Sequence, residues 1–383
     1  MVQRDFWLQS IRTSWQKASI CWLTGVRRSG KTTLARSIPQ TRYLNCDLTQ
    51  TAELLKDPEA FYKSLQEPII VFDEIHQLED PSRILKIGAD QFPGIKILAT
   101  GSSSLAATRK FHDSLTGRKR SVTLLPVLHS ELPAFECPDL RERLFRGGLP
   151  QALLTRDIDP GFYAEWLDSY FARDVQELFH VEKRSRFLKL LELVLRQSGG
   201  LLEPTSLAKH VELSRPTILT YLDVFEITHV IRVLRPFHGQ GRQELLRQPK
   251  VYAFDTGFVR YVNGWTELRE KDCGDLWEHL VLDMLSAGDP ARTVCFWRDK
   301  QRREVDFVLP GPQNTVDAIE CKWNPDALEL QNLRAFRALY PEGRNIVVSP
   351  HLNDPYTRTR DSLDIHFVPL DRLQDFLSNR AAD

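Results

Sequence analysis

The chain has 383 residues, of which 42% are hydrophobic and 27% charged, a balance typical of globular proteins and unlike that of disordered or fibrous ones. This length favours two or three domains over a single core. There are 51 lysines and arginines and 51 aspartates and glutamates, so a formal net charge of zero excludes a global cationic field, and binding to nucleic acid would need local patches.

The cysteines and the N-terminal sequence bear on the compartment. The six cysteines are scattered, without a C-x-x-C pair or the spacing of metal ligands, which favours reduced thiols. The N-terminal residues mix charged and aromatic side chains and lack the apolar core of a signal peptide. No apolar stretch approaches the length of a transmembrane helix. We therefore expect a cytoplasmic protein without a membrane partner.

Residues 20–130 alternate short apolar runs with amphipathic segments, which is the pattern of a parallel α/β sheet. Apolar runs at 20–25, 68–74 and 95–101 predict strands that end in polar residues or glycine. Segments 31–38 and 81–92 are predicted helices. Because open α/β sheets bind ligands at the carboxyl ends of their strands, these polar strand ends mark a candidate site.

The next part of the chain, up to residue 237, predicts helices followed by a small module. Segments 165–179 and 186–198 carry apolar residues at helical spacing, and a Gly-Gly-Leu-Pro break precedes them at 147–150. The rest predicts a short helix, a turn, a second helix that begins near Ser214, and a strand at 230–234. A helix-turn-helix followed by a β-hairpin is a winged-helix layout.

The last third returns to α/β patterning, and no internal repeat is present. The predicted helices are 274–287 and 325–340, and the predicted strands are 293–298, 304–310, 316–323 and 345–350.

The segment after the first predicted strand has the phosphate-loop pattern G-x-x-x-x-G-K-[ST], and a predicted helix follows it. The residues expected to bind nucleotide are Gly25, Val26, Arg27, Arg28, Ser29, Gly30, Lys31, Thr32 and Thr33. The glycines let backbone N–H groups point at phosphate, Lys31 can reach the β- and γ-phosphates, and the Thr32 hydroxyl can bind Mg²⁺. ATP and Mg²⁺ are thus the predicted cofactors. The alternative, a chance match, is disfavoured by the flanking strand and helix.

The predicted strand at 68–74 ends in Asp73 and Glu74, which is the Walker B pattern. Asp73 is expected to hold Mg²⁺ through water, and Glu74 is expected to orient or deprotonate the attacking water. The alternative is a pair of capping carboxylates at the end of a strand. The upstream phosphate loop favours the catalytic interpretation.

Two further elements are candidates for the ATPase site. Ser102 or Ser103, after the strand at 95–101, would position water beside the γ-phosphate, and a serine-rich turn is the alternative. Arg118 or Arg120 would act as an arginine finger on the nucleotide of a neighbouring subunit. The alternative for these two is a solvated turn.

Charged residues also occur in the apolar strands of the last third. Asp306 lies inside one strand, Glu320 and Lys322 share one face of the next, and Glu278 lies on the preceding helix. Asp306 and Glu320 would bind Mg²⁺, Glu278 would add a carboxylate, and Lys322 would position water or stabilise the charged phosphate, as in metal-dependent phosphodiester hydrolysis. The alternative is a surface hairpin with structural ion pairs, although charges inside apolar strands are costly unless they are paired or functional.

Basic residues cluster in two places. One set, in the turn before Asp306, would neutralise DNA phosphates or would be a solvated hairpin tip: Arg298, Lys300, Arg302 and Arg303. The other set, in the winged-helix segment, would contact DNA, although winged helices also contact proteins: Arg215, Arg232, Arg235, Arg242 and Arg247.

These motifs, in this order, resemble those of bacterial and archaeal ATP-binding proteins that fuse an AAA+ core to a winged helix and a PD-(D/E)XK nuclease-like domain. The resemblance implies an α/β fold: a P-loop AAA+ core with a helical lid, a winged-helix domain and a restriction-endonuclease-like C-terminal domain. It also implies a homo-oligomer, by analogy a hexamer, that acts on duplex or branched DNA. Mg²⁺-dependent cleavage by Glu278, Asp306, Glu320 and Lys322 is implied as well. Val305 stands where the family motif nominally has proline.

The expected domains are an ATPase core at 1–130, a helical lid at 131–182, a winged-helix domain at 183–265 and a nuclease-like domain at 266–383. The leading hypothesis is a DNA-acting ATPase in which hydrolysis drives remodelling or translocation of DNA, and the last domain binds or cuts it. The alternatives are a signalling or regulatory nucleotide switch, with the winged helix as a protein-contact module, and an ATP-gated defence nuclease.

Overall fold

A computed structural model describes residues 2–379 except 102–114, 138, 156, 158, 177–178, 180, 182, 240–247 and 290. The N-terminal part contains a five-stranded sheet in the order β2-β3-β4-β1-β5, and every neighbouring pair is parallel. Its strands are β1 (Ile20–Thr24), β2 (Thr41–Asn45), β3 (Ile69–Asp73), β4 (Lys96–Thr100) and β5 (Lys119–Thr123). All five residues of β1 are buried, which explains its continuous apolar sequence.

Helices cover this sheet: α1 (Asp5–Lys17), α2 (Lys31–Arg36), α3 (Thr49–Leu54), α4 (Pro58–Ser64) and α5 (Pro81–Gln91). Proline in the first turn and an aspartate cap begin α5, because the Asp80 side chain accepts a hydrogen bond from the Arg83 N–H. The predicted helix at 31–38 ends two residues early. The residue before Pro39 is disfavoured in helical conformation, which accounts for this end.

A helical segment follows the first sheet and contains α6 (Leu140–Arg146), α7 (Pro150–Leu154) and α8 (Pro160–Tyr170). The predicted helix at 165–179 is thus shifted: α8 begins at Pro160 and continues as a π-helix over Phe171–Gln176. A π-helix is a rare local widening that is frequent at functional sites.

The Gly147-Gly148 break joins this helical segment to the middle of the chain. Asp255 accepts a hydrogen bond of 2.5 Å from the Gly148 N–H and another of 2.9 Å from the Gly257 N–H. A Cβ on Gly147 would lie 2.1 Å from the Asp255 carboxylate, and Gly147 also has a φ of +81°. Glycine is therefore required at this contact by both space and backbone conformation.

The middle segment contains the predicted helix-turn-helix and hairpin. It consists of α9 (Arg184–Arg196), α10 (Pro204–Val211), α11 (Arg215–Ile227), β6 (Ile231–Leu234), β7 (Lys250–Ala253) and α12 (Thr256–Asn263). Ser214 caps α11 by accepting a hydrogen bond from the Thr217 N–H. Strands β6 and β7 are antiparallel, and Leu201 forms an isolated bridge with Lys250.

The C-terminal part forms a six-stranded mixed sheet in the order β12-β13-β11-β10-β9-β8. Its elements are α13 (Glu270–Gly288), β8 (Cys295–Arg298), β9 (Glu304–Pro310), β10 (Val316–Cys321), α14 (Leu330–Leu339), β11 (Asn345–Val348), β12 (Tyr356–Arg360), β13 (Leu363–Val368) and α15 (Leu373–Ser378). Strand β9 is antiparallel to β8 and β10, whereas β10, β11 and β13 are parallel. The predicted helix at 325–340 begins only at Leu330, because a 3₁₀ turn occupies Pro325–Ala327.

One core of buried side chains runs from the first sheet through the helical and middle segments into the C-terminal sheet, and it includes Trp7, Trp166, Phe254 and Trp277. A continuous apolar core opposes independent movement of these parts, because separation would expose apolar surface. All six cysteines are free and buried. Among the described residues, no helix combines the length and apolarity needed to cross a lipid bilayer.

Candidate functional site

The phosphate loop leaves the carboxyl end of β1 and enters α2. Gly25 has a φ of +136°, and a Cβ there would lie 2.3 Å from the Leu124 carbonyl oxygen. Gly30 has a φ of +97° immediately before α2, and Arg28 has a φ of +61°. The glycines of the motif are thus explained by a loop that folds back against the chain after β5.

Lys31 is the cation at the centre of this loop. Its Nζ donates to the carbonyl oxygens of Gly25, at 3.0 Å, and Val26, at 3.1 Å. Burial lowers the pKa of Lys31, and the nearby carboxylates of Glu74, Asp174 and Asp73 oppose that shift. The lysine therefore lies in the field of the Asp73 and Glu74 carboxylates.

The remaining loop residues offer polar groups suited to a bound phosphate. Ser29 is fully buried, and its Oγ has no hydrogen-bond partner among the described residues. Thr32 and Thr33 lie at the start of α2, where Thr32 is half-buried and Thr33 exposed. An orphan hydroxyl beside a cation and a row of loop amides is a donor set that fits a triphosphate with Mg²⁺.

Asp73 is held by two hydroxyl groups that the sequence analysis missed. Tyr43 Oη and Thr100 Oγ1 each donate to its carboxylate at 2.5 Å. The Thr100 hydroxyl also accepts a hydrogen bond of 3.0 Å from the Glu74 N–H. Burial and the Asp73 carboxylate raise the pKa of Tyr43 to about 12, so the phenol remains a donor. One threonine thus fixes both Walker B residues.

Glu74 turns out of the strand with a φ of +55°. One of its carboxylate oxygens lies 3.3 Å from His76 Nδ1, and its side chain is 36% exposed. Partial exposure gives water access to this carboxylate, which a general base for hydrolysis requires.

The other predicted ATPase residues have different outcomes. Ser102 and Ser103 lie outside the described residues, and Thr100 is the polar residue observed at the end of β4. Arg118 pairs with Asp90 and precedes the first residue of β5, at the amino edge of the parallel sheet and opposite the phosphate loop of its own chain. Arg120 is exposed on β5.

Asp174, on the π-helix, faces the phosphate loop from the helical segment. Its carboxylate lies 3.6 Å from the Arg27 guanidinium, and burial raises its pKa while Arg27 and Lys31 lower it. Trp166 of α8 donates from Nε1 to the Arg27 carbonyl at 3.0 Å. These contacts join residues more than a hundred positions apart, so no local sequence signal indicated them.

The middle segment also reaches this site. His229, just before β6, has Nε2 3.0 Å from Thr24 Oγ1, at the last residue of β1. Burial lowers the pKa of His229 to about 4, and Lys31 adds to the shift. The imidazole is therefore neutral at physiological pH.

The C-terminal sheet brings together three of the four predicted residues there. Lys322 Nζ lies 2.6 Å from Glu320 Oε2 and 3.6 Å from Asp306 Oδ2, and the Cys321 N–H donates to Asp306 at 2.8 Å. Burial and Asp306 raise the pKa of Glu320 to about 8. Burial alone would lower the pKa of Lys322, but Asp306 and Glu320 raise it. The lysine is charged and bridges the two carboxylates.

Glu278 is bonded to a different group. Tyr252 Oη donates to Glu278 Oε2 at 2.6 Å, and Lys250 Nζ lies 4.0 Å from the same oxygen. Burial and Asp306 raise the pKa of Glu278 to about 7. The sequence did not indicate Lys250 or Tyr252, because both lie on β7 of the middle segment, outside the stretch that contains the predicted carboxylates.

The donor chemistry of this cluster suits a hard cation. Within the described residues, no group of three or more His, Cys, Asp or Glu side chains is gathered closely enough to hold a metal ion. Asp306 and Glu320 nevertheless supply two carboxylates, and Glu320 Oε1 is buried without a hydrogen-bond partner in the described part of the chain. Oxygen donors of this kind fit Mg²⁺, with waters completing its coordination.

The predicted basic patches are partly neutralised. Arg298 pairs with Glu304 and Arg303 with Asp299, whereas Lys300 and Arg302 are exposed. Arg232 is mostly buried, and its guanidinium lies 2.7 Å from the buried Asp283 of α13. Arg215 and Arg235 are exposed, and Arg242 and Arg247 lie outside the described residues.

The chain is similar to uncharacterized proteins of several bacteria. It is 26% identical over 324 residues to the uncharacterized protein Rv2008c of Mycobacterium tuberculosis, covering 81% of this chain and 71% of that protein. It is 24% identical over 299 residues to an uncharacterized protein of Haemophilus influenzae, covering 69% of this chain and 74% of that protein.

Solved structures give weaker likenesses. A Signal Transduction ATPase with Numerous Domains from Pyrococcus horikoshii is 15% identical with a TM-score of 0.28, over 76% of this chain and 46% of that one. Cdc6p from Pyrobaculum aerophilum is 10% identical with a TM-score of 0.28, over 68% of this chain and 93% of that one. TM-scores of this size are too low to compare the arrangement of whole chains.

Three segments match protein families. Residues 137–269 and 273–373 match two families described as domains of unknown function, DUF8612 and DUF4143. Residues 17–132 match the AAA domain family, and this range contains the parallel sheet, the phosphate loop and the Walker B carboxylates. The N-terminal part of the chain is therefore an AAA+ ATPase-like domain.

Proposed function

We propose that the chain is an ATP-hydrolysing enzyme of the AAA+ class that acts on DNA and carries a Mg²⁺-dependent phosphodiesterase site in its C-terminal part. The observation that carries the ATPase assignment is the convergence of Lys31, Asp73 and Glu74 at the carboxyl edge of the parallel sheet. The cytoplasm is the proposed compartment.

In this proposal the loop amides of 25–32 and the Lys31 ammonium bind the phosphates of ATP. Thr32 and Asp73 would hold Mg²⁺, which would supply positive charge to offset that of the phosphates. Thr100 keeps the Walker B carboxylates aligned, and Glu74 accepts the proton of the attacking water.

Substitution of Lys31 and Glu74 tests the ATPase assignment. Lys31→Ala is expected to lower ATP turnover at least about a hundredfold, because it removes a cation that stabilises the transition state. Glu74→Gln is expected to bind a fluorescent ATP analogue normally and to hydrolyse ATP poorly. Lys56→Ala and Glu79→Gln, both at exposed positions, are the matched controls. Wild-type turnover in Lys31→Ala would refute the assignment.

The C-terminal proposal rests on topology and charge together. A mixed sheet in which β9 is antiparallel to its neighbours β8 and β10, while β10, β11 and β13 are parallel, is consistent with a restriction-endonuclease-like fold. Asp306 and Glu320 would hold Mg²⁺, which would supply Lewis-acid chemistry for phosphodiester hydrolysis. Lys322, bonded to Glu320, would orient that water or neutralise the phosphate, and exposed Lys300 and Arg302 would contact neighbouring phosphates.

Cleavage assays test this second site separately. Linear and branched DNA with Mg²⁺ would be incubated with wild type, Asp306→Asn, Lys322→Ala and the control Lys271→Ala, which changes an exposed lysine of α13. We expect cutting by wild type and Lys271→Ala only. Equal cutting by all four proteins, or by none, would remove the nuclease assignment and leave the ATPase assignment intact.

Assembly is a further part of the proposal. We propose a homo-oligomer, by analogy a hexamer, in which Arg118 approaches the nucleotide of the neighbouring subunit. Mass photometry with a non-hydrolysable ATP analogue tests the assembly. An Arg118→Ala protein that assembles and retains full ATP turnover would eliminate the arginine finger.

One observation favours a second candidate, a regulatory nucleotide switch in which the winged helix contacts protein. The exposed face of α11, the second helix of the helix-turn-helix, carries Arg215, Leu219, Asp223 and Glu226. Such a face is not basic, whereas DNA-reading helices use basic and amide side chains. Stimulation of ATP turnover by DNA supports the DNA-acting enzyme, and stimulation by no DNA substrate supports the switch.

A further inference from the structure

The proposed C-terminal site contains side chains from another part of the chain. Lys250 and Tyr252 are 2% and 0% exposed, and both project from β7 toward the carboxylates of α13 and β9. Tyr252 binds Glu278 through a hydrogen bond, and Lys250 forms an ion pair with Glu304. A buried ammonium is stable only where carboxylates compensate its desolvation, so this lysine belongs to the charge balance of the site.

That balance decides how the site responds to a divalent cation. Four carboxylates lie in this network, namely Glu278, Glu304, Asp306 and Glu320. Three cations oppose them, namely Lys250, Lys322 and Arg298. When all seven groups are ionised, they carry one net negative charge, and a bound divalent cation changes this to one net positive charge. A buried ammonium beside these carboxylates repels a divalent cation, so that ammonium and the metal compete for the same negative charge.

The hydrogen-bond geometry indicates which internal cation competes. Lys322 is bonded to Glu320 and lies near Asp306, the two proposed metal ligands, as the proposed reaction requires. Lys250 instead lies beside Glu278, the third predicted carboxylate, while Tyr252 occupies one Glu278 oxygen. The side chains of β7 thus keep the Glu278 carboxylate next to the hairpin.

We propose that Lys250 and Tyr252 are positioning residues that sequester Glu278, so that the middle-segment hairpin limits divalent-cation binding at Asp306 and Glu320. This inference rests on the proposed phosphodiesterase site. It makes β7 a regulatory part of that site, and Glu278 joins the metal ligands only when its bonds to the hairpin are released.

Cation affinity measured on the full-length protein without nucleotide tests the inference. The probe is Mn²⁺, followed by electron paramagnetic resonance of the free ion. Lys250→Gln and Tyr252→Phe should each bind Mn²⁺ roughly tenfold more tightly than wild type, a typical size for changes around metal ligands. Lys250→Arg should restore wild-type affinity, since it keeps the charge, and Lys271→Gln should change nothing. Unchanged or weaker binding by folded Lys250→Gln would overturn the inference.

A measurement on the wild-type protein covers the case in which these variants do not fold. Lys250 should resist acylation by an amine reagent and should become reactive when Mn²⁺ is added, as read by mass spectrometry. No gain in Lys250 acylation at saturating Mn²⁺ would contradict the inference. If wild type and Asp306→Asn bind Mn²⁺ equally, the proposed metal site itself fails, which is a separate outcome.

Discussion

At the phosphate loop, Asp174 adds a negative charge where phosphates are proposed to bind. Its carboxylate lies 3.6 Å from Arg27 and lowers the positive field of that guanidinium and of Lys31. Asp174→Asn is therefore expected to tighten ATP binding roughly fivefold, equivalent to about 1 kcal/mol for a partly screened charge. Titration with a fluorescent ATP analogue measures this change.

The matched control for this prediction lies on the preceding helix. Asp168, on α8, pairs with Arg184 at an exposed position. Asp168→Asn removes the same charge away from the loop and is expected to leave the affinity unchanged. Weaker ATP binding by Asp174→Asn would mean that the carboxylate supports the site instead of opposing phosphate.

His229 makes the fold sensitive to acid. Its pKa is about 4 in the folded protein against an ordinary value of 6.5, so the unfolded chain binds a proton first as the pH falls. The neutral ring stabilises the fold fully above pH 6.5, and this contribution is lost as the pH falls toward 4. Asparagine tolerates the φ of +61° at this position and does not titrate in this range, so His229→Asn lacks this acid-induced loss. The difference in unfolding free energy between wild type and His229→Asn should therefore shrink by roughly 3 kcal/mol as the pH falls across that window.

Urea unfolding between pH 4 and 7 measures this gap. His238→Asn, at an exposed position on the same segment, should run parallel to wild type. A gap between wild type and His229→Asn that does not change with pH would show that the imidazole is not buried as described.

At the scale of elements, the Gly147-Gly148 break is a docking contact between the helical and middle segments. A Cβ on Gly148 would lie 2.1 Å from the guanidinium of Arg143, itself buried. Gly148→Ala is expected to lower the free energy of unfolding by about 1–3 kcal/mol, the usual effect of overpacking. Gly94→Ala, with nothing within 4 Å of its Cβ, should change it by less than about 0.5 kcal/mol. Equal thermal shifts in the two variants would contradict this role.

The strands around both sites could be predicted because their signals are local. Strand β3 is an apolar run that ends in Asp73, and β9 is an apolar run interrupted by Asp306. A few adjacent residues therefore indicate both a buried strand and a candidate functional side chain. The predicted helix boundaries differ from the observed ones next to Pro39 and at the 3₁₀ turn before Leu330, where local backbone preferences end or delay the helix.

The partners of those residues could not be predicted in the same way. Tyr43 and Thr100 bind Asp73 only because β2, β3 and β4 are neighbours in the sheet. Asp174 and Lys250 reach their sites across the folded chain, through packing that periodicity does not specify. Their sequence contexts are an ordinary amphipathic helix and an ordinary strand.

At the scale of the whole molecule, the β6–β7 ribbon connects the two sites. His229, at one end, bonds to Thr24 beside the phosphate loop, and β7 carries Lys250 into the C-terminal site. Because the strands are hydrogen-bonded to each other, we expect nucleotide binding to change amide hydrogen exchange at residues 250–253. Thr24→Val, which removes the hydroxyl, should weaken that response.

Exchange mass spectrometry with and without a non-hydrolysable ATP analogue measures this coupling. Thr41→Val, at the start of β2, is the control and should respond as wild type does. An identical response in Thr24→Val would mean that the nucleotide signal, if it reaches β7, travels by another route.

Because the native cysteines are buried, movements between parts of the molecule can be followed with labels on introduced cysteines. Burial raises the pKa of Cys21 and Cys46 to about 12, and it also raises the pKa of Cys321, so these thiols react slowly with alkylating labels. Cysteines introduced at exposed positions would therefore be modified selectively without removal of the native thiols. Pairs of fluorescent or spin labels, one on α8 and one on α2, could then follow the distance between the helical segment and the phosphate loop during turnover.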